Sequence, residues 1–127
     1  MTYNSAIPVL PSLDIKKSCD FFIEKLGFEL NFIWQEDNAL IANYGGVCKD
    51  GVHIHFVIVD DKKICEWTIC RIYVENIEEH YEKAKQADIV HPNGSLGEKP
   101  WNEKEFSVLD VSGVCLHIAE EKQNQER

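Results

Sequence analysis

Two short stretches decide the fold of this chain, Gly51-Val52-His53-Ile54-His55-Phe56 and Gly113-Val114-Cys115-Leu116-His117-Ile118. Each stretch contains a glycine, a valine, a variable residue, an aliphatic residue, a histidine and an apolar residue, in that order. The copies start at positions 51 and 113, so they are 62 residues apart in a chain of 127. Side chains alternate along a strand, so each histidine shares a strand face with the variable residue two positions before it, His53 or Cys115. The repeat predicts a duplicated unit that ends in a strand.

The composition limits the classes of protein to consider. Hydrophobic residues make up 44% of the chain and charged residues 28%, which is typical of one globular domain. We find neither a signal peptide nor an apolar run long enough for a membrane helix, so we expect a cytoplasmic protein. Five scattered cysteines without a Cys-x-x-Cys pattern favour reduced, packed thiols. A net charge of −9 argues against a nucleic-acid partner and is compatible with a cationic ligand.

The first half of the chain is predicted to form a strand, a helix and three further strands. The helix has apolar residues at helical spacing, a cap at Ser12 or Asp14 and a stop at Gly27. In order, the predicted elements are an edge strand at Ala6–Leu10 closed by Pro11, the helix with Ile15, Cys19, Phe22 and Leu26, the alternating strand Phe28–Trp34, a strand at Asn38–Asn43, a turn at Tyr44-Gly45-Gly46 and a strand at Val52–Val59.

The second half repeats this order after a polar connection at Asp60–Lys63. Its helix is predicted to start at Asn76, with Glu79 completing a capping box. In order, the predicted elements are β-rich residues Trp67–Val74, the helix with Ile77, Tyr81 and Ala84, a loop at His91–Pro100, a strand at Lys104–Leu109, a turn at Asp110–Gly113, a strand at Val114–Ala119 and a fraying tail at Glu120–Arg127.

These elements predict an α+β fold of two tandem βαβββ modules that form a curved mixed sheet around a cleft. We expect the first module at about residues 5–60 and the second at about residues 66–120, within a single domain that covers residues 1–127.

The chain resembles the vicinal oxygen chelate superfamily, which holds glyoxalase I, extradiol dioxygenases, fosfomycin-resistance enzymes and bleomycin-resistance proteins. The resemblance begins with Ile7–Asp14, Asp20-Phe21-Phe22 and Leu26-Gly27-Phe28 and covers roughly residues 6 to 122. The later motifs are similar to the bleomycin-resistance branch in particular; they are Gly97–Trp101, Glu105-Phe106, Asp110, Gly113 and His117–Glu121. The resemblance implies a small-molecule ligand and a homodimer with clefts at its interface.

Enzymes of this superfamily hold a divalent metal ion, and the resemblance places its ligand positions at Ile7, His55, Ile69 and His117. A catalytic site of this kind needs about three or four nitrogen or oxygen donors. The two isoleucines offer none, so we expect no cofactor and no metal. His53 or Cys115 would be needed to complete a reorganised site.

Without a metal, His55 and His117 have two open interpretations. Either they contact a ligand on the cleft wall, or each is a half-buried histidine that hydrogen-bonds to a neighbour. Cys115 beside His117 or His55 is a further alternative as a nucleophile, although no sequence feature indicates an activated thiolate.

Aromatic side chains are the expected walls of a ligand site. The candidates are Phe32, Trp34, Phe56, Trp67 and Trp101. Trp101 lies in a Pro/Gly-rich loop, and the resemblance matches it to the tryptophan of the bleomycin-resistance branch that stacks on the flat bithiazole group of bleomycin. For Trp34 and Trp67, core packing is the preferred interpretation, with Trp34 and Phe56 kept among the expected ligand contacts.

Drug-binding relatives place a second aromatic residue in the turn after the third element. Here that turn is Gln35-Glu36-Asp37-Asn38, which has no aromatic residue, and Asn38 is its expected ligand contact. Acidic side chains such as Glu36, Asp37 and Glu98 favour a cationic ligand.

We therefore predict metal-free sequestration of a small aromatic, cationic molecule. One alternative is a metal-dependent glyoxalase- or dioxygenase-type enzyme that uses His53, His55 and His117. Another is a metabolite-binding sensor module.

Overall fold

The computed structural model describes residues 1–121, which form two compact units. The first unit comprises Met1–Thr68 together with the short segment Val111–Val114, and the second comprises Ile69–Asp110 and the described residues from Cys115 to Glu121. Each unit contains one four-stranded mixed sheet. The α+β class and the repeated βαβββ module are confirmed.

The first unit orders its strands β1-β4-β3-β2, with β1 parallel to β4 and the other pairs antiparallel. Its elements are β1 (Val9–Ser12), α1 (Ile15–Leu26), β2 (Glu29–Trp34), β3 (Tyr44–Lys49), β4 (Val52–Ile58) and the short helix α2 (Lys62–Glu66).

The second unit has the equivalent order β5-β8-β7-β6, again with one parallel pair, β5 with β8. Its elements are β5 (Ile69–Tyr73), α3 (Ile77–Gln86), β6 (Gly97–Lys99), β7 (Glu103–Leu109) and β8 (Cys115–Glu121). His55 pairs with Val9 in the first sheet, and His117 pairs with Arg71 in the second. The two partners, Val9 and Arg71, are 62 positions apart, as the two histidines are. The repeat seen in the sequence is therefore also a repeat of strand register.

Helix α1 forms as its sequence predicts. The Asp14 side chain accepts a hydrogen bond from the Lys17 amide, and Gly27 ends the helix in the left-handed conformation at φ 77°. The buried stripe includes Cys19 and Phe22, and the Phe22 ring contacts the Phe56 ring edge-on at 5.2 Å between centroids. This contact joins the helix to the apolar face of the sheet.

The predicted turn at Tyr44-Gly45-Gly46 is wrong, as is the strand predicted at Asn38–Asn43. Strand β3 begins at Tyr44 and contains both glycines, and residues 38–43 form a turn and bends. A Cβ at Gly45 would lie 2.8 Å from Ile15 Cγ2, and one at Gly46 would lie 2.8 Å from both His55 Cδ2 and Phe32 Cε1. The two glycines therefore allow close packing on opposite faces of one strand.

Several smaller boundaries also differ from prediction. Pro11 lies inside β1 rather than after it, which is tolerated because β1 is an edge strand. Helix α2, capped by Asp61, replaces part of the predicted polar connection, and β6 lies within the predicted loop.

The predicted capping box of α3 is wrong. Asn76 has left-handed dihedral angles and its side chain makes no capping hydrogen bond. Instead, the Ile77 amide donates to Oε1 of Glu120 at 3.0 Å. Glu120 and Glu121 extend β8, so the tail predicted to fray does not begin at Glu120; its remaining residues, 122–127, lie outside the described part of the chain.

No helix within the described residues is long and apolar enough to cross a membrane.

Candidate functional site

One face of the second sheet is apolar and packs against α3, and the opposite face carries a polar cluster. Phe106, Leu116 and Ile118 are buried on the helix-facing side. Strand alternation brings the other face together from β5, β7 and β8. The side chains that line it are Ile69, Arg71, Tyr73, Glu103, Glu105, Ser107, Cys115, His117 and Ala119.

Glu103 is the centre of this polar cluster. Its Oε2 accepts a hydrogen bond from the Tyr73 hydroxyl at 2.7 Å, and its Oε1 accepts one from Trp101 Nε1 at 3.0 Å. Arg71 Nη2 also donates to Oε1. The hydrogen bonds from Tyr73 and then Arg71 lower the pKa of the Glu103 carboxyl below its usual value, because they favour the charged form. A carboxylate that is nearly covered by protein is thus stabilised by three donors.

Arg71 links Glu103 to a second buried carboxylate. Its Nη1 lies 2.7 Å from Oε1 of Glu105, while Oε2 of Glu105 lies 3.3 Å from Nδ1 of His117. The Ser107 hydroxyl lies 2.9 Å from the same Nδ1. Two carboxylates therefore face one guanidinium and one half-buried imidazole, which leaves an excess of negative charge while the imidazole is neutral.

Trp101 lies in the turn between β6 and β7 and is 56% exposed. Its indole nitrogen is held by Glu103, so the ring has a fixed position although much of its surface faces solvent. This combination suits a contact residue more than a core residue. The expected role of Trp101 in ligand contact stays a prediction that this geometry supports.

The first sheet carries an aromatic cluster around the other histidine. The Tyr44 hydroxyl lies 2.9 Å from His55 Nδ1, and the Phe32 ring contacts the imidazole edge-on at 5.1 Å. His55 lies directly opposite Gly46, whose missing side chain leaves room for the ring. His55 and His117 are both half-buried and hydrogen-bonded to a neighbour through Nδ1, and a ligand contact at either histidine stays a prediction.

The other predicted contact residues are spread over the first unit. Phe56 is fully buried beneath α1, so it has no surface for a ligand. Asn38 is exposed in a turn with φ 67°. The core interpretation of Trp34 and Trp67 is wrong, since they are 52% and 86% exposed. Trp34 lies at the end of β2, whereas Trp67 caps α2 and belongs to neither sheet.

The four family metal positions do not form a donor set. Ile7 and Ile69 offer no nitrogen or oxygen side-chain atom, and within residues 1–121 no three His, Cys, Asp or Glu side chains group as metal ligands. Burial raises the pKa of the Cys115 thiol, which opposes the thiolate that a nucleophile at this position would need.

Sequence reasoning did not find Arg71, Tyr73, Glu103 and Glu105. A signal was present, because each pair is separated by one residue on a predicted strand or at its border. Arg71-x-Tyr73 and Glu103-x-Glu105 therefore each lie on a single strand face. Charged residues that alternate along the strand with the buried Phe106 and Val108 indicate that the opposite face of the sheet is polar.

Comparisons with known proteins agree with this architecture. No protein-family model matches the chain. A bleomycin resistance protein from Geobacillus stearothermophilus is 35% identical over 122 residues, covering 83% of this chain and 87% of that protein.

Many solved structures share the fold. The bleomycin-binding protein from Streptomyces verticillus, complexed with copper(II)-bleomycin, has a TM-score of 0.78 at 23% identity and covers 97% of this chain and 99% of its own. A glyoxalase-related enzyme from Clostridium phytofermentans has a TM-score of 0.77 at 18% identity, with 96% and 98% covered. The sequence identity to these resistance proteins places this chain in the bleomycin resistance protein family.

Proposed function

We propose that this protein binds bleomycin, or a drug with a similar planar and cationic part, and sequesters it without modifying it. The observation that carries the proposal is Trp101, an exposed ring held in place by Glu103, in a chain 35% identical to bleomycin resistance proteins. An aromatic ring with a fixed position offers stacking area with little loss of side-chain entropy on binding.

The charges around Trp101 support a cationic ligand. Glu103 and Glu105 carry two negative charges within the cluster, and Arg71 is their ion-pair partner. The whole chain has a net charge of −9, which attracts cations over a longer range. A positively charged drug is therefore favoured both on approach and at the binding surface.

The residues at the four family metal positions favour ligand binding without catalysis. Two of the four, Ile7 and Ile69, carry aliphatic side chains without a donor atom, and within residues 1–121 no three His, Cys, Asp or Glu side chains group as metal ligands. The residues present do not fit the divalent metal site of the superfamily's enzymes. The enzyme alternative would require donors that this arrangement does not bring together.

A homodimer is part of the proposal. Apolar side chains are exposed in both units, among them Val9, Leu30 and Trp34 in the first and Ile69 in the second. Burying such surface against a second copy is favourable by about 25 cal/mol per Å². Size-exclusion chromatography with light scattering should give twice the monomer mass; a monomer at all concentrations would contradict this part.

A cytoplasmic location is also proposed. None of the five cysteines, all of which lie within the described residues 1–121, forms a disulfide, and Cys19, Cys65 and Cys70 are buried. Free thiols persist most readily in a reducing compartment. Cell fractionation would test this location directly.

The decisive experiment is calorimetric titration of the purified protein with metal-free bleomycin. We expect saturable binding, and replacement of Trp101 by leucine should weaken it by at least about tenfold, as for other central aromatic contacts. Trp67→Leu is the matched control, because Trp67 is also an exposed tryptophan but lies outside both sheets. Absence of binding by the unmodified protein would overturn the drug assignment.

A second measurement separates sequestration from catalysis. After incubation with excess protein, the drug should be recovered with unchanged mass. Turnover of the drug, or stoichiometric metal that is lost on replacing His55 or His117, would instead favour the enzyme.

A further inference from the structure

Trp101 alone offers a planar ligand one stacking ring, and the turn Gln35-Glu36-Asp37-Asn38 has no aromatic residue to add another. We propose that Tyr73 supplies the second ring from a different strand, and that Glu103 positions Tyr73 and Trp101 together. This inference rests on the proposed function and concerns how the same surface contacts the planar part of its ligand.

The Tyr73 and Trp101 side chains are hydrogen-bonded to the same carboxylate, that of Glu103. The Tyr73 hydroxyl donates to Oε2 of Glu103, and the indole nitrogen of Trp101 donates to Oε1. Because the two carboxylate oxygens are fixed relative to each other, the polar ends of the rings are fixed as well. Tyr73 is 53% exposed and Trp101 is 56% exposed, so about half of each residue's surface stays available.

The Arg71 guanidinium lies close to both rings. Its guanidinium carbon lies 5.5 Å from the Tyr73 ring centroid and 6.0 Å from the Trp101 ring centroid. Its Nε also donates to the Tyr73 hydroxyl at 3.0 Å. The cation therefore lies within cation–π distance of both rings, and this attraction opposes their rotation before a ligand arrives.

The strand register explains how Tyr73 reaches Glu103. Tyr73 pairs with Ala119 on β8, and Ala119 pairs with Glu105 on β7. Ala119 carries only a methyl group and is fully buried, although it shares the face of the half-buried His117. A small residue at this position lets the tyrosine ring extend across β8 toward the carboxylates.

The surface suits a planar aromatic group that carries a positive charge. The ring faces attract cations as well as other rings. Arg71 does not oppose such a ligand, because Glu103 and Glu105 balance and exceed its charge. Tyr73 is a ligand-contacting residue in this arrangement, and Glu103 is a positioning residue.

Two variants of Tyr73 test the contact by calorimetry with metal-free bleomycin. Tyr73→Leu removes the ring, and we expect about three- to tenfold weaker binding, the range of one aromatic pair. Tyr73→Phe keeps the ring but loses the hydroxyl that bonds to Glu103 and Arg71, so it should bind more weakly than the unmodified protein and more tightly than Tyr73→Leu. Trp67→Leu serves as the control for loss of an exposed ring, and circular dichroism checks that each variant is folded.

The two Tyr73 variants distinguish a ring contact from a role of the hydroxyl alone. Unchanged affinity in Tyr73→Leu overturns the inference while leaving the proposed function intact. Equal losses in Tyr73→Leu and Tyr73→Phe also overturn it, since only the hydroxyl would then matter. If the unmodified protein does not bind, the proposed function itself fails.

A spectroscopic test addresses the positioning role. Replacing Trp34 and Trp67 by phenylalanine leaves Trp101 as the only one of the chain's three tryptophans. Replacing Glu103 by glutamine should lower the fluorescence anisotropy of Trp101 in the free protein and weaken drug binding, whereas Tyr73→Leu should weaken binding with a smaller change in anisotropy. Unchanged anisotropy in Glu103→Gln would contradict the positioning role.

Discussion

Gly45 and Gly46 show how one residue type can support two structural interpretations. Adjacent glycines are a common turn signal, and the sequence alone offered no reason to prefer a strand. In the structure, the missing side chain of each glycine leaves room for a residue on a different face of the strand, Ile15 beside Gly45 and His55 beside Gly46. Such close approach depends on residues distant in sequence, so local patterns could not predict it.

We expect Gly46→Ala to destabilise the protein. The added methyl would lie 2.8 Å from ring atoms of both His55 and Phe32, so the aromatic cluster would have to shift. Overpacking of this kind costs about 1–3 kcal/mol, offset by about 0.5–1 kcal/mol that alanine gains over glycine in a strand. Urea unfolding measures the difference.

Gly97→Ala is the matched control for that substitution. Gly97 also lies in a strand, and a Cβ there would meet only the Ser95 carbonyl oxygen at 4.0 Å. The Gly97→Ala variant should be as stable as the unmodified protein or slightly more stable. Equal effects of the two substitutions would refute the packing argument.

The Glu103 carboxyl predicts a pH dependence of stability. Its pKa is lowered in the folded protein, chiefly by hydrogen bonds from Tyr73 and Arg71. The folded state therefore binds the proton less readily than the unfolded chain, where the pKa is about 4.3. The stabilisation is fully present above that value and is lost as the pH falls through the folded pKa.

Thermal unfolding of the unmodified protein and of Glu103→Gln tests this dependence. The variant should melt at a lower temperature at neutral pH, because its uncharged amide cannot replace the carboxylate in the ion pair with Arg71. The gap should remain constant down to about pH 5 and narrow below about pH 4. A gap that widens on acidification would contradict the assignment.

At the level of elements, the sequence predicted helix α1 and strand β4 well because their signals are local. Asp14, the apolar spacing and Gly27 each act within one or two turns of α1. Helix α2 was missed because five residues are too few to show a period. The polar face of the second sheet was missed because Arg71 and Glu103 meet only through strand pairing between distant segments.

Helix α3 illustrates a cap that comes from another element. The predicted cap, Asn76, lies in the left-handed conformation, and Glu120 from β8 accepts the Ile77 amide instead. A carboxylate at a helix N-terminus also interacts favourably with the helix dipole. We therefore expect Glu120→Ala to cost about 0.5–2 kcal/mol, the usual range for loss of a cap.

Asn76→Gly provides the contrast in the same unfolding measurement. Its left-handed conformation, with φ 56°, suits glycine, and its side chain makes no capping hydrogen bond. Its stability should change by less than about 0.5 kcal/mol. If Asn76→Gly were the more damaging substitution, the sequence-based capping box would describe the helix better than the cap from β8.

At the scale of the whole molecule, the duplicated register gives two faces with different chemistry. The first sheet surrounds His55 with Tyr44 and Phe32, whereas the second surrounds His117 with Ser107 and Glu105. The same backbone repeat therefore carries an aromatic cluster in one unit and an acidic one in the other. The chemistry of each sheet face therefore depends on the side chains in which the two modules differ, and not on the backbone that they share.

Ligand binding to the folded chain should raise its unfolding temperature, because the proposed drug surface is built from residues far apart in sequence. Trp101 and Tyr73 converge on Glu103 only in the folded second unit, so the unfolded chain offers no such surface. A ligand at about 100 times its dissociation constant stabilises the folded state by about 2.7 kcal/mol. For a domain of this size, that corresponds to a rise of roughly 5–15 °C.

Differential scanning fluorimetry with increasing metal-free bleomycin measures this rise. At one fixed drug concentration, Trp101→Leu should show a smaller rise than the unmodified protein, while Trp67→Leu should show the full rise, since Trp67 lies outside both sheets. Each variant is compared with its own drug-free melting temperature, which removes any direct effect of the substitution on stability. A rise that is equal in all three proteins would mean that the drug binds elsewhere on the folded chain, and Trp101 would then lose its proposed role.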